Sequence, residues 1–171
     1  TIRFARENSV PYFGICLGLQ VAIIEYARNI LGLTEANTAE IDQNAKDNVI
    51  DLMAEQKSVT DMGATMRLGA YPATLVPGSK IAEIYGSNEI SERHRHRYEV
   101  NNKYVPLLEE KGLVMSGKNL NLDLVETIEL KEHPWFIAVQ YHPEFKSKPT
   151  KPHPLFYRFV EASYNNKQKA K

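Results

Sequence analysis

The run Val10-Pro11-Tyr12-Phe13-Gly14-Ile15-Cys16-Leu17-Gly18-Leu19-Gln20 constrains this chain more than any other segment. A short apolar stretch that reads as a buried strand leads directly into a stretch with helical apolar spacing. Cys16, the only cysteine, lies at the joint, with glycine two residues before and two after. A strand that turns this sharply into a helix needs small neighbours, because the residue at the turn adopts a crowded backbone conformation. The G-x-C-x-G spacing is the cysteine form of the nucleophile elbow. Such a turn lifts the sulfur to the top of the sheet, and the following helix aims its positive end at it, which favours thiolate over thiol. The competing reading is a buried structural cysteine, since free Cys is among the most buried residues. A short motif alone does not separate the two.

The far end of the chain does. Phe136-Ile137-Ala138-Val139-Gln140-Tyr141 is a second strand-like run, and it leads straight into His142-Pro143-Glu144. Residues two apart in an extended segment point to the same side. Glu144 is therefore expected to orient the His142 ring through one nitrogen and leave the other free to take a proton from a thiol. Nucleophile, base and orienter then occur in the order Cys16, His142, Glu144.

Together these motifs resemble the class I (triad) glutamine amidotransferases. Ala36-Asn37-Thr38-Ala39-Glu40, the run Met62-Gly63-Ala64-Thr65-Met66-Arg67-Leu68-Gly69 and the run Glu92-Arg93-His94-Arg95-His96-Arg97-Tyr98-Glu99-Val100-Asn101 are similar to the glutaminase domains of CTP synthases. The resemblance spans residues 4–159. It implies an α/β fold, a mainly parallel sheet flanked by helices, with the N-terminal part of the domain lying before Thr1. That part would include a glycine-rich loop supplying a second oxyanion-hole donor.

The resemblance also implies hydrolysis of L-glutamine to glutamate and ammonia. The ammonia would serve ATP-dependent amination of UTP to CTP on a separate synthetase domain. Cys16, His142 and Glu144 are the implied catalytic residues, with the Leu17 N–H as oxyanion donor. Gln20, Glu40 and Arg97 are the implied substrate contacts. Glu40 would face the ammonium and Arg97 the carboxylate of the substrate head group. No cofactor is expected in this chain. ATP and magnesium belong to the synthetase domain, and GTP is the family's allosteric activator. Arg67 lies in a segment like the family's lid and is a candidate for the GTP response. The expected assembly is a homo-oligomer. Two other readings share the elbow: a cysteine hydrolase acting on peptides, and a truncated, non-catalytic regulatory fragment.

Composition narrows the classes. Lys plus Arg balance Asp plus Glu at 21 each, so the chain lacks the basic excess of a general nucleic-acid binder. No apolar run approaches the ~18 residues of a membrane span. One cysteine excludes an internal disulfide framework and suits a reducing, cytoplasmic setting. The 171 residues fit one domain, read as 1–164, with a Lys-rich and disordered tail over 165–171.

Along the chain, a strand is predicted over 11–15 and a helix over 18–31, with residues 34–38 as loop. Further strands are predicted over 49–53, 65–68, 73–76, 113–116 and 124–130. Helices are predicted over 81–85, 105–111 and 155–163. If residues 93–97 are extended, the arginines share one face and the histidines the other. The preferred reading has Arg97 on substrate and its neighbours in structural ion pairs. A metal site at His94 and His96 lacks acidic or cysteine partners at metal-site spacing. His133 and His153, each beside a proline, read as ordinary loop residues.

Overall fold

The structure, a computed structural model, describes residues 1–52 and 66–169. In chain order it runs α1 (Ile2–Glu7), β1 (Tyr12–Ile15), α2 (Leu17–Asn29), β2 (Ala36–Thr38), β3 (Asp47–Asp51), β4 (Arg67–Leu75), α3 (Lys80–Tyr85), β5 (Glu89–His96), β6 (Glu99–Val100), α4 (Val105–Glu110), β7 (Leu113–Asn119), β8 (Leu124–Leu130), β9 (Phe136–Val139) and α5 (Pro154–Lys169). A 3-10 turn at Pro143–Lys146 follows β9. The strand end expected at Met53 and the strand start expected at Thr65 lie outside the described residues.

Six strands form one sheet in the order β1-β9-β8-β7-β4-β5, and β2-β3-β6 form a smaller one. The α/β architecture is as expected, but the larger sheet is mixed rather than mainly parallel. Its β1–β9 pair is parallel, while β9–β8, β8–β7, β7–β4 and β4–β5 are antiparallel. The links between β7, β8 and β9 are too short to hold a crossover helix, so each strand must reverse direction.

Alternation along β9 builds the core on both faces. Phe136 and Ala138 pack with α2 and α4, while Ile137 and Val139 pack with α3 and α5. On α2, Leu19, Ile23 and Ala27 recur at helical spacing and are fully buried. Each of the two larger side chains contributes about 1.5–3 kcal/mol by leaving water.

β4 runs unbroken through Gly69 and Pro72, where two short strands were expected. Pro72 is tolerated because β7 pairs with β4 only at Thr74 and Leu75, so no bond to β7 is required of the missing N–H. α5 continues as helix to Lys169, through residues expected to be disordered. Residues 36–38, expected as loop, form β2. Among the described residues no helix is long and apolar enough to cross a membrane.

Candidate active site

The parallel register of β1 and β9 creates the site. Ile15 pairs with Val139, and the Cys16 N–H donates to Val139 O at 2.8 Å. Cys16 and His142 thus emerge from the carboxyl ends of neighbouring strands, where open α/β sheets hold their ligands. Cys16 has φ 51° and ψ −102° and is the N-cap of α2. A left-handed φ at a non-glycine residue is strained and occurs most often at functional positions.

The two glycines of the elbow differ in what they do. A Cβ on Gly14 would lie 2.7 Å from the Gly18 carbonyl carbon and 2.8 Å from Ala138 Cβ. Gly14 therefore lets α2 start directly against β1. A Cβ on Gly18 would meet only Tyr12 Oη, at 3.6 Å. The Gly18 carbonyl instead accepts from that hydroxyl at 2.7 Å.

His142 Nδ1–H donates to Glu144 Oε1 at 2.6 Å. The contact is the expected one, but its cause is different. Glu144 sits in the 3-10 turn and not in an extended segment, so the turn and not strand alternation brings the carboxylate back to the ring. The ring stacks on Phe145 with centroids 5.1 Å apart. His142 N–H donates to Arg93 O at 2.8 Å. His142 Nε2 is buried and has no hydrogen-bond partner among the described residues.

The electrostatics of the sulfur also differ from expectation. Burial raises the Cys16 thiol above its usual range, the Leu17 N–H opposes this, and Glu99, Glu144 and Glu40 raise it further. The helix end helps the thiolate, but burial outweighs it. Glu40 is exposed, and its charge is the smallest of those that raise the thiol.

Gln20 is buried, and its Nε2 donates to Tyr98 O at 2.9 Å and to Gln140 Oε1 at 3.4 Å. Its carbonyl oxygen makes no hydrogen bond among the described residues. Arg97 is half-buried between β5 and β6, and its Nε is buried without a partner among the described residues. Gln140, which the sequence reading passed over, is fully buried and donates from Nε2 to Cys16 Sγ at 3.8 Å. Its signal was a lone amide in an apolar strand run.

β5 alternates as expected, with Arg93 and Arg95 exposed and His94 and His96 buried. Among the described residues, however, the buried cation here is Arg67, while Arg93 and Arg95 make no ion pair and the histidines make hydrogen bonds. Arg67 is 3% exposed and reaches Glu99 at 3.2 Å and Glu126 at 2.5 Å. With both terminal nitrogens engaged inside the core, it presents no cation to a nucleotide. Burial raises Glu99 to about 8 and Glu126 to about 7 against the pull of Arg67.

Burial and the Arg67 charge keep both histidines neutral. His96 Nδ1–H is assigned as donor to Tyr98 O at 3.2 Å, because a carbonyl can only accept. His96 Nε2 then accepts from His94 Nδ1–H at 2.9 Å. The bare His94 Nε2 faces Glu126 Oε2 at 3.5 Å, which suits a protonated Glu126.

His133 and His153 are buried anchors rather than loop residues at large. His133 joins Ala5 O and the Trp135 N–H, and His153 joins Glu92 and the Leu155 N–H.

Residues 1–162 match the model of the family described as glutamine amidotransferase class-I. A CTP synthase of Syntrophus aciditrophicus is 55% identical over 168 residues, covering 98% of this chain and 31% of its own length. That of Carboxydothermus hydrogenoformans is 57% identical over 162 residues, 95% of this chain and 30% of its own length. The chain thus spans about a third of the curated relatives it matches. The glutaminase domain of Trypanosoma brucei CTPS, solved with bound acivicin, superposes with a TM-score of 0.89 at 40% identity, covering 96% of this chain and 64% of that one. An elbow cysteine and a Glu-oriented histidine at the ends of neighbouring strands, with this match over nearly the whole chain, place the protein in the class-I glutamine amidotransferase family.

Proposed function

We propose that this chain is glutaminase machinery of a CTP synthase and that Cys16, His142 and Glu144 carry the chemistry. The observation that carries the reading is the His142–Glu144 bond of 2.6 Å with Nε2 unpartnered among the described residues, after the strand that pairs with the one leading into the strained Cys16. His142 Nε2 takes the thiol proton, and the sulfur attacks the side-chain amide carbon of glutamine. The Leu17 N–H holds the oxyanion. His142 returns the proton to the leaving nitrogen, so ammonia departs and a γ-glutamyl thioester remains. Water, deprotonated by His142, cleaves that thioester to glutamate and restores the thiol. Glu40 faces the substrate ammonium, and Arg97, whose Nε has no partner among the described residues, faces the carboxylate. Gln20 contributes its unengaged carbonyl oxygen.

The ammonia is used on a synthetase domain that aminates UTP to CTP with ATP and magnesium, in a homo-oligomeric enzyme activated by GTP. The similarity to CTP synthases supports this half of the reading. The test uses the full-length enzyme. Cys16→Ala is expected to abolish glutamine-dependent CTP formation and spare ammonia-dependent formation. Equal loss of both in a folded variant overturns the division of labour. A glutamine-analogue chloroketone is expected to label Cys16 and to be blocked by glutamine.

A further inference from the structure

We propose that the Gln140 side chain is a catalytic donor to the nucleophile. Its amide N–H stabilises the Cys16 thiolate, and Gln20 is the positioning residue that holds it in the orientation to do so. This rests on the reading of Cys16 as nucleophile.

Gln140 is 0% exposed and follows directly on the apolar strand β9. Burying an amide among apolar side chains costs free energy unless both its ends are used. Its main chain is fixed, with Gln140 N–H donating to Glu126 O at 2.8 Å. Its side chain has two chemically opposite ends, and only the NH2 end suits a developing thiolate.

The order of donors and acceptors decides which end faces the sulfur. Tyr98 O can only accept, so the Gln20 NH2 group must be the end that meets it at 2.9 Å. The same nitrogen lies 3.4 Å from the Gln140 side chain and must meet an acceptor there, which is Oε1. The Gln140 NH2 then points the other way, to Cys16 Sγ at 3.8 Å. The chain Tyr98, Gln20, Gln140, Cys16 is thus polarised in one direction from a carbonyl that cannot reverse.

The sulfur needs such a donor. Glu144 from the turn after β9 and Glu40 from the turn after β2 add to burial in opposing charge on the sulfur, and Glu99 from β6 does so once it ionises, near 8. His142 is its proton acceptor. Against these stands the Leu17 N–H, which must leave the sulfur for the oxyanion once the amide is attacked. A side-chain donor that stays with the sulfur covers that exchange. The bond is long for a neutral thiol and shortens when the sulfur ionises, because charge-assisted hydrogen bonds are shorter and about twice as strong.

The experiment is the pH dependence of Cys16 alkylation by iodoacetamide, on the full chain, with melting curves for each variant. Gln140→Met removes the donor at similar length. Its alkylation midpoint is expected to rise by about one pH unit or more, a tenfold lower thiolate fraction below the midpoint. The rate at high pH should be unchanged. Gln140→Glu places an acceptor at the sulfur and shifts the midpoint further. Gln20→Met releases the amide to turn and gives a smaller rise. Should the Met variant not fold, Gln140→Asn keeps an amide but withdraws it by one methylene and carries the same expectation. A folded Gln140→Met or Gln140→Asn protein with the wild-type midpoint overturns the proposal. If the wild-type protein is labelled by the glutamine-analogue chloroketone in that case, the nucleophile reading stands without it. Failure of that labelling in the wild type overturns both.

Discussion

Replacing Gly14 with alanine tests whether the elbow depends on one close approach between main chains. The added Cβ would lie 2.7 Å and 2.8 Å from the carbonyl carbon and oxygen of Gly18, and 2.8 Å from Ala138 Cβ. None of these is the end of a flexible side chain. Ordinary contact begins near 3.4 Å, so α2 must move off β1 and β9 by roughly half an ångström or more. Overpacking of this kind costs about 1–3 kcal/mol. For a chain of this size that lowers the melting temperature by about 2–12 °C. The same shift carries Cys16 away from His142, and a displacement approaching an ångström costs up to a hundredfold in rate. The expectation is therefore a loss in both melting temperature and kcat, with kcat falling by about ten- to a hundredfold. Gly18→Ala is the control. Its Cβ meets one hydroxyl at 3.6 Å, and alanine is favoured over glycine within a helix by up to about 1 kcal/mol. It should be as stable as the parent or more so. Circular dichroism melts and coupled glutamate assays on both variants decide. A Gly14→Ala protein with unchanged melting temperature and kcat within twofold would refute the steric argument.

Three further outcomes are expected. Arg97→Ala should lower kcat/KM for glutamine by about ten- to a few hundredfold, the worth of one charge-assisted bond, while leaving iodoacetamide reactivity and the melting temperature as they were. Normal KM and kcat in that variant would remove Arg97 from the substrate site. Glu92→Ala should lower the melting temperature by at least about 6 °C, because it strips the partner from buried His153 at 3.1 Å and from Lys146, which ties the 143–146 turn to β5. The variant melting like the parent would show that turn to be held elsewhere. The last outcome concerns pH. His94 and His96 are held neutral down to about 2 and about 3, while the unfolded chain protonates histidine near 6.5, so they make stability rise with pH over that interval. Glu99 and Glu126 keep their protons up to about 8 and about 7, against 4.5 in the unfolded chain, so they make stability fall as pH rises through that range. Denaturation midpoints should be flat from about pH 4.5 to 6.5 and decline above; a rise up to about pH 6.5 followed by a plateau to pH 8 would show both carboxyls ionised in the folded protein.

The parts of this site legible in sequence are those set by local spacing. The elbow, the His142–Glu144 pair and the alternation of β5 each depend on residues within a few positions of one another. What escaped depends on partners distant in the chain. Arg67 reads as a candidate for the GTP response in a lid-like segment until Glu99 and Glu126 are brought against it. Gln140 reads as filler in a strand until β1 pairs with β9 and sets it beside Cys16. The mixed sheet was misjudged because the family resemblance concerns the whole domain, while the described strands β7 to β9 are joined by reversals. The direction of the thiol shift was misjudged for a related reason. Helix polarity can be read from the order of elements, but burial and the charges of Glu99, Glu144 and Glu40 cannot.

The β1–β9 register has a kinetic consequence. Cys16 and Gln140 stand 124 positions apart, and the strands that carry them pair only when almost the whole described chain has been closed into a loop. By polymer statistics that closure costs about 3 kcal/mol more than closing a hairpin of half a dozen residues. The hairpin joining β7 and β8 can form early, whereas the pairing that brings together the strand ends bearing Cys16 and His142 belongs among the late, topology-limited events. Recovery of thiol reactivity during refolding therefore reports on the end of the process. A chain arrested before its last strand docks would hold much of its secondary structure and still lack a working catalytic centre.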